Sequence, residues 1–500
     1  MTLVPRVEQR ASDEFAPLFR PKVIAVVGAS ATGTTAGNRF IRLLKSGGYA
    51  GRIVPIHPKA DEIEGITAYR SIGDMSEIAD YAYLTVPAER VEEVLASAGG
   101  KLRFAQVMAS ASAEAHHAWE ERLRDLCYLG GFRLIGPNCM GTHSPRGGYT
   151  FMEGVNTEAG SVGIACQSGG LGMDILRRGQ NLGLRFSGLV TLGNSIDVSP
   201  SDLFEFYLQD PDTKVVGLYI EDVKDGQRFQ QLARLNRGRK PVVLLIGGVT
   251  GLGRKAAESH TGALGGTEQA WGALARQTGM VLTNTLDEFL DALQLCLWLA
   301  PKSARQEPEV TLFGNGGGTS VLATDSLDRA GFKLAVPTTQ ARLEYTRITL
   351  PAGASLENPI DLPASVLKEQ DGRVTAKILD IDRRCTNPYA TIIHLNLPVI
   401  MGYRHVADFL PNLMNSVFGA EEKSQDRPHC VLVLRSDRSE EVDAWRRSFR
   451  NVAAERGVPT FDEIPQAIDA LSVFRRYESF LSATGVGSAR VQSPLSRDSK

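Results

Sequence analysis

Short apolar runs, each followed by a glycine-bearing polar turn and then a stretch of helical periodicity, recur from one end of the chain to the other. Positions 21–28 read PKVIAVVG. A continuous valine-rich run of this length ending in glycine predicts a parallel strand buried on both faces. Positions 29–37, ASATGTTAG, mix glycine with hydroxyls and predict a turn, and 38–45 a helix. Further strands are predicted at 52–56, 81–86, 104–108 and 133–135, with helices at 89–97 and 113–126. Strands alternating with helices predict a doubly wound α/β domain over residues 1–145.

The pattern restarts twice. SVGIAC at 161–166 predicts a strand, and Gln167-Ser168-Gly169-Gly170 leads into a helix through Arg178. Strands at 185–192, 214–220 and 241–246 and helices at 202–208 and 228–235 complete a second α/β segment, 146–303. In the third, 304–481, a strand at 309–313 runs into GNGGGT and a helix to Ala330, echoing 162–178. Strands are predicted at 389–397 and 429–434, and Pro351–Pro363 as a fixed loop that contacts a ligand or partner. A structural or docking role suits this third segment better than a second active site. Residues 482–500 lack apolar periodicity and are expected to form a disordered tail.

Composition narrows the class. The 500 residues allow about three domains, and 43% hydrophobic with 22% charged residues suits ordinary globular cores. A formal net charge of −2 offers no reason to expect nucleic acid or an anionic membrane as partner. No apolar run approaches the ~20 residues of a membrane span, and the first residues lack a signal-peptide core. The six cysteines (127, 139, 166, 296, 385, 430) are scattered without a C-x-x-C. That argues against a zinc site or disulfide scaffold, leaves no metal-ligand set, and suits a reducing cytoplasm.

Candidate chemistry lies at the predicted strand ends, where functional groups of open α/β sheets gather. His260 stands among small residues in Glu258-Ser259-His260-Thr261-Gly262-Ala263-Leu264, read as a loop after a glycine-rich run. Imidazole can carry a phosphoryl group covalently; the alternative is a loop histidine that only makes a hydrogen bond. Ser168, Gly169 and Gly170 open a helix whose N-terminal N–H groups and dipole suit a phosphate. Glu221 ends a strand and can fix an imidazole tautomer; the alternative is an exposed strand-end acid. The glycines at 28, 33 and 37 do not make G-x-G-x-x-G. Moreover, the second strand ends in His57-Pro58-Lys59 rather than the acid a nicotinamide domain needs. Lys59 suits a phosphorylated nucleotide such as coenzyme A, or is simply solvated. A nicotinamide oxidoreductase is thus a distant third reading.

Ser259-His260-Thr261-Gly262-Ala263-Leu264, Gly136-Pro137-Asn138-Cys139, Gln167-Ser168-Gly169-Gly170 and Asp210-Pro211-Asp212-Thr213-Lys214 with Glu221 resemble, jointly and in order, the NDP-forming acyl-CoA synthetases of the succinyl-CoA synthetase superfamily. The resemblance covers residues 15–480. It implies a Rossmann-like CoA-binding domain followed by two flavodoxin-like ligase domains. It implies His260 as the phosphorylated histidine, Glu221 as its orienting acid, and Ser168, Gly169 and Gly170 as the phosphate-holding turn. Gly28, Ser30, Lys59, Val86 and Pro87 would line the CoA site, with Asn138 and Cys139 near its thiol end. Cys139 is assigned no nucleophilic role. The implied reaction joins a small carboxylic acid to CoA through acyl phosphate, using ATP or GTP with Mg²⁺. No ATP-grasp segment is found, which implies an α-type subunit in a hetero-oligomer with a separate ATP-grasp β-type subunit. Two departures stand out. Residues 246–250 (IGGVT) lack the lysine and Arg-Ser pair usual there, and the turn at 28–37 lacks the usual proline and lysine. These departures, with the missing ATP-grasp part, motivate the rival reading of a non-catalytic CoA-binding or regulatory protein. No charged cluster in the sequence declares a dicarboxylate substrate; pocket residues are expected near Asn138, Gly193-Asn194 and the third segment.

Overall fold

Val23–Val27 (β1) is buried at every position, as its uninterrupted apolar run requires. The computed structural model describes residues 10–112, 114–261, 266–402 and 427–485, without the side chains of 10–12, 257–261, 368, 369 and 371. Strands β2 (Arg52–Ile56), β5 (Ala79–Leu84), β6 (Leu102–Val107) and β7 (Arg133–Ile135) join β1 in a parallel sheet ordered β2-β1-β5-β6-β7; β3 (Glu62–Ile63) and β4 (Ile66–Thr67) form a separate small hairpin. Helices α2 (Ala36–Ser46), α3 (Ala88–Ala96) and α4 (His116–Gly130) alternate with these strands. Thr35 caps α2 by accepting from the Asn38 N–H, and Gly131 ends α4 in the left-handed conformation. The strand predicted at 81–86 runs from 79 to 84. Thr85 and Val86 instead leave the sheet at its carboxyl edge.

A second sheet has the order β13-β12-β11-β9-β10-β8. Its strands are β8 (Thr142–His143), β9 (Val162–Cys166), β10 (Phe186–Thr191), β11 (Val215–Ile220), β12 (Val242–Ile246) and β13 (Val281–Thr283). All pair in parallel except β8, an antiparallel edge strand too short to register in the sequence pattern. Helices α5 (Gly169–Asn181), α6 (Pro200–Gln209), α7 (Gly226–Asn236), α8 (Gly251–Thr261) and α9 (Glu268–Thr278) connect them. A reciprocal Ser199–Asp202 capping box starts α6.

The chain divides into two compact units, 1–180 with 184–286, and 181–183 with 287–500. Both of the first two sheets therefore belong to one unit. The reason is α1 (Arg10–Phe19), an element absent from the sequence-based set. Phe19 stacks on Phe206 of α6 with ring centroids 4.4 Å apart, and Phe15 lies 5.4 Å from Phe104 of β6 and 5.7 Å from Phe206. One apolar cluster thus runs from β1 and β6 through α1 to β11 and α7. Next to it, Arg146 makes a two-pronged bond to Asp210, at 2.9 and 2.6 Å, with both side chains nearly buried. This assigns Asp210 of the Asp-Pro-Asp-Thr-Lys motif to a structural clamp.

The second unit has its own sheet and core. Strands β14 (Glu309–Gly314), β15 (Lys333–Leu334), β17 (Ala390–Asn396), β18 (His429–Arg435) and β19 (Thr460–Phe461) are ordered β15-β14-β17-β18-β19, and β16 (Ile360–Asp361) pairs with β14. The 351–363 segment is held by Asn358, which donates to the Val310 and Ala335 carbonyls at 2.8 and 2.9 Å. The last described helix, Ile464–Thr484, takes in residues 482–484, since its apolar face is buried through Leu481. The remaining tail, 486–500, lies outside the described residues. Among the described residues no helix is long and apolar enough to cross a membrane.

Candidate functional site

The site is built on the carboxyl ends of β9, β11 and β12, which are neighbours in the second sheet. Register places Cys166 beside Tyr219, and Ile220 beside Ile246, so Gln167, Glu221 and Gly247 emerge side by side. Gln167 is the organising residue. Its buried side-chain carbonyl accepts both the Glu221 and Asp222 N–H groups, at 2.6 and 3.0 Å, and its amide donates to Ser195 Oγ at 3.3 Å. The strand end of β11 is thereby tied to the turn before α5. The Glu221 carboxylate accepts a hydrogen bond from Tyr219 Oη at 3.0 Å. Burial and the Glu221 charge together hold the Tyr219 phenol far above its ordinary value, so it stays a donor. A Cβ on Gly247 would fall 2.7 Å from Tyr219 Oη, so the residue after β12 is small because this pair fills the space.

Ser168 accepts the Leu171 N–H at 3.3 Å and so caps the first turn of α5. The Gly169 position is packed on Met140, whereas a Cβ at Gly170 would meet nothing within 4 Å. Gly170 is exposed, which leaves room for an anion at this helix N-terminus.

Glu221 opens onto a cavity of about 180 Å³ shared with Gln167, Asp222 and Lys224, and with Gly193 and Asn194 after β10. Its far wall comes from α4: His116, His117, Glu120 and Arg124. Gly193, at φ +53, fits because its missing side chain would lie 2.2 Å from the Pro137 carbonyl oxygen. Asn138 Nδ2 reaches Asn194 Oδ1 at 3.3 Å, and Asn194 Nδ2 donates to Glu120 at 2.8 Å. Lys224 donates to the Asn194 and Ser195 carbonyls at 2.9 and 3.3 Å. Burial lowers the Lys224 ammonium pKa and raises that of the Asp222 carboxyl, each against the pull of opposite charges nearby. None of the α4 residues had a signal in strand or glycine patterns. The spacing 116, 120, 124 on one helix face was the available one.

A second cavity of about 380 Å³ lies at the carboxyl edge of the first sheet. Gly28, Ser30 and Val86 line it. Gly28 holds φ +100, and a Cβ there would fall 2.5 Å from Thr85 Oγ1, so only glycine fits where β1 leaves the sheet against Thr85. Lys59 and Pro87 are exposed beside it rather than in its lining; Pro87 serves as the N-cap residue of α3. His57, whose Nδ1 accepts the Lys59 and Ala60 N–H groups at 3.1 and 2.8 Å, lines it instead, with Arg70, Ser71 and Arg90. Cations and hydroxyls beside an apolar floor of Val27, Ile56 and Val94 suit a phosphorylated nucleotide. Cys139 lines neither cavity. It is 3% exposed, and burial pushes its thiol up to about 12, which makes it a packed residue.

The backbone at His260 is helical, within α8, rather than a loop. Thr250 starts that helix by accepting the Gly253 N–H at 3.0 Å, and Ala256-Ala257-Glu258 are good helix formers. The His260 side chain and residues 262–265 lie outside the described residues, so its convergence with Glu221 is not among these contacts. In the cation-poor 246–250 turn, Arg254 folds back to donate to the Val249 carbonyl at 3.0 Å.

A cation-flanked cavity at the edge of one sheet and a carboxylate near a helix N-terminus on the other suit a CoA ligase of the succinyl-CoA ligase kind. The CoA binding domain model matches residues 22–145, and the succinyl-CoA ligase like flavodoxin domain model matches 159–296. The chain belongs to the family of ADP-forming acyl-CoA ligases, as an α-type subunit. It is 33% identical over 365 residues to the acetate–CoA ligase [ADP-forming] II subunit alpha of Pyrococcus furiosus, covering 72% of this chain and 78% of that one. It is 27% identical to subunit alpha of ligase I from the same organism, over 93% of this chain and 97% of that one. It spans only 48% of the acetate–CoA ligase [ADP-forming] of Methanocaldococcus jannaschii, at 35% identity. The fold matches that of the dinucleotide forming acetyl-coenzyme A synthetase 1 of Ca. Korarchaeum cryptofilum, in complex with phosphate and ADP. The TM-score is 0.78 with 24% identity, over 96% of this chain and 99% of that one.

Proposed function

We propose that the chain joins a carboxylic acid to CoA through acyl phosphate, with His260 carrying the phosphoryl group between nucleotide and acid. The observation that carries this is Glu221, fixed at a strand end by Tyr219 and Gln167 and opening onto a polar cavity beside the α5 N-terminus. A carboxylate so held orients an imidazole and stabilises its cation. In the forward direction the N–P bond of phosphohistidine breaks as a carboxylate oxygen of the acid bonds to phosphorus. The CoA sulfur then bonds to the acyl carbon, the acyl C–O bond breaks, and phosphate leaves with the electron pair and the thiol proton. Gly169, Gly170 and the Ser168-capped turn hold the phosphoryl oxygens. Gly28, Ser30 and Val86, with Lys59 and Pro87 at the rim, hold CoA; Asn138 lies toward its thiol end. ATP or GTP with Mg²⁺ is handled by a separate ATP-grasp β-type subunit in a hetero-oligomer. The domain limits 1–145, 146–303 and 304–481 and a cytoplasmic setting belong to the same reading.

The test is intact-mass measurement after incubation with Mg²⁺, inorganic phosphate and a panel of acyl-CoAs, repeated with a co-purified ATP-grasp chain. One acid-labile phosphoryl group is expected on the wild type and none on His260→Ala. A phosphorylated His260→Ala variant overturns the assignment.

A further inference from the structure

The α4 wall of the Glu221 cavity has a chemistry of its own. Among the described residues, no Val, Leu, Ile, Met, Phe, Tyr or Trp lines this cavity. Instead His116, His117 and Arg124 face Glu221 from α4, and Lys224 stands beside them. Glu120, 6% exposed, anchors this wall: Asn194 Nδ2 is 2.8 Å from one oxygen, His116 Nδ1 3.7 Å from the same oxygen, and Arg124 Nη2 3.8 Å from the other. Lys224 commits two of its three protons to the Asn194 and Ser195 carbonyls. His117 is exposed to the cavity mouth.

His116, His117 and Glu120 bring one ligand atom each within 4.8 Å of one another, which is also the spacing of a metal group. Two facts weigh against a cation there. The Glu120 carboxylate is already shared between Asn194 and Arg124, and the basic side chains of Arg124 and Lys224 flank the position. Arg124 and Lys224 are set against three carboxylates in the lining, Glu120, Glu221 and Asp222, so it is the hydrogen-bond donors of this wall rather than net charge that suit an oxygen-bearing substrate.

We infer that this wall selects a short carboxylic acid bearing a second oxygen function, a carboxylate or a hydroxyl, remote from the reacting carboxyl. The inference rests on the ligase reading and names the substrate class of that site. Bound with its reacting carboxyl toward Glu221, such an acid places its second oxygen against His116, His117 and Lys224. An unsubstituted acid of the same length leaves those donors unpaired, and that loss is what discriminates between substrates.

The test uses the phosphorylation assay, alone and with the ATP-grasp chain, comparing succinyl-CoA and 3-hydroxybutyryl-CoA with acetyl-CoA, butyryl-CoA and benzoyl-CoA. Rates at low thioester concentration for the better of the first pair are expected to exceed those for butyryl-CoA about tenfold. Which of the first pair leads identifies the oxygen function. His117→Leu and, separately, Arg124→Leu are expected to bring that ratio toward one. His117 is exposed, so its replacement leaves the fold in place. Fastest phosphorylation by acetyl-, butyryl- or benzoyl-CoA, or a ratio unmoved by both variants, overturns the inference while the ligase reading stands. A ratio lost on chelation and restored by Zn²⁺ but not by Mg²⁺ assigns the wall to a metal and also overturns it. No phosphorylation by any thioester sinks the ligase reading and this inference together.

Discussion

At the residue scale, side chains that look interchangeable in the sequence do different work. Of Gln167-Ser168-Gly169-Gly170, the sequence pattern singles out the last three as a phosphate turn. It is Gln167 that knits β9 to β11, by accepting two backbone N–H groups. That role is invisible in sequence because its partners, Glu221 and Asp222, are more than fifty positions away. The glycines divide likewise. At Gly193 a Cβ would overlap the Pro137 and Asn138 carbonyl oxygens at 2.2 and 2.3 Å, with φ in the left-handed region. Gly170 has open space around it. Gly193→Ala is expected to cost ~1–3 kcal/mol and to displace the Asn138–Asn194 contact. Gly170→Ala should stay within ~1 kcal/mol of wild type. Paired denaturant melts check both, and equal costs at the two positions would contradict the geometry.

At the element scale, long buried strands were legible and short edges were not. β9 and β12, inside the second sheet, start within one residue of their predicted apolar runs, whereas β8, two residues long, has no pattern to read. Its position has an electrostatic consequence. His143 on β8 is 1% exposed, and burial lowers its pKa to about 4. Above pH 6.5 the ring is neutral in folded and unfolded chains alike, and its burial costs no ionisation energy. Between pH 6.5 and 4 the unfolded chain takes up a proton that the folded chain refuses, so stability falls as pH falls. The loss is on the order of 3 kcal/mol by pH 4. His143→Phe should flatten this part of the stability profile relative to wild type, as read by urea unfolding at pH 7, 5.5 and 4. Parallel profiles for the two proteins would show that His143 is not responsible.

At the scale of the whole molecule, two sequence-level domains make one compact unit because α1, the Arg146–Asp210 clamp and the aromatic cluster join them. The consequence is functional. The cavity that suits a nucleotide lies on the first sheet, Glu221 lies on the second, and α4 of the first segment supplies one wall of the Glu221 cavity. Phe19, 1% exposed and stacked on Phe206, is central to this joint. Phe19→Ala is expected to cost ~3–5 kcal/mol. Hydrogen exchange should show β6 and β11 losing protection together; loss confined to one sheet would mean the two segments are stable independently.

The α/β class, most of the strand–helix alternation, and the motifs that place Gln167, Glu221 and Gly28 at strand ends follow from the sequence alone; α1, β8 and the other two-residue strands do not. Period and turn chemistry are local, and a buried parallel strand needs an apolar run whatever surrounds it. Only the tertiary structure decided that Asp210 is a clamp, that Cys139 is core, that the segment bearing His260 is helical, and that His116, His117, Glu120 and Arg124 face Glu221. Those outcomes depend on which distant surfaces are pressed together. That is settled by α1 and by packing across two sheets, neither of which leaves a periodic trace along the chain.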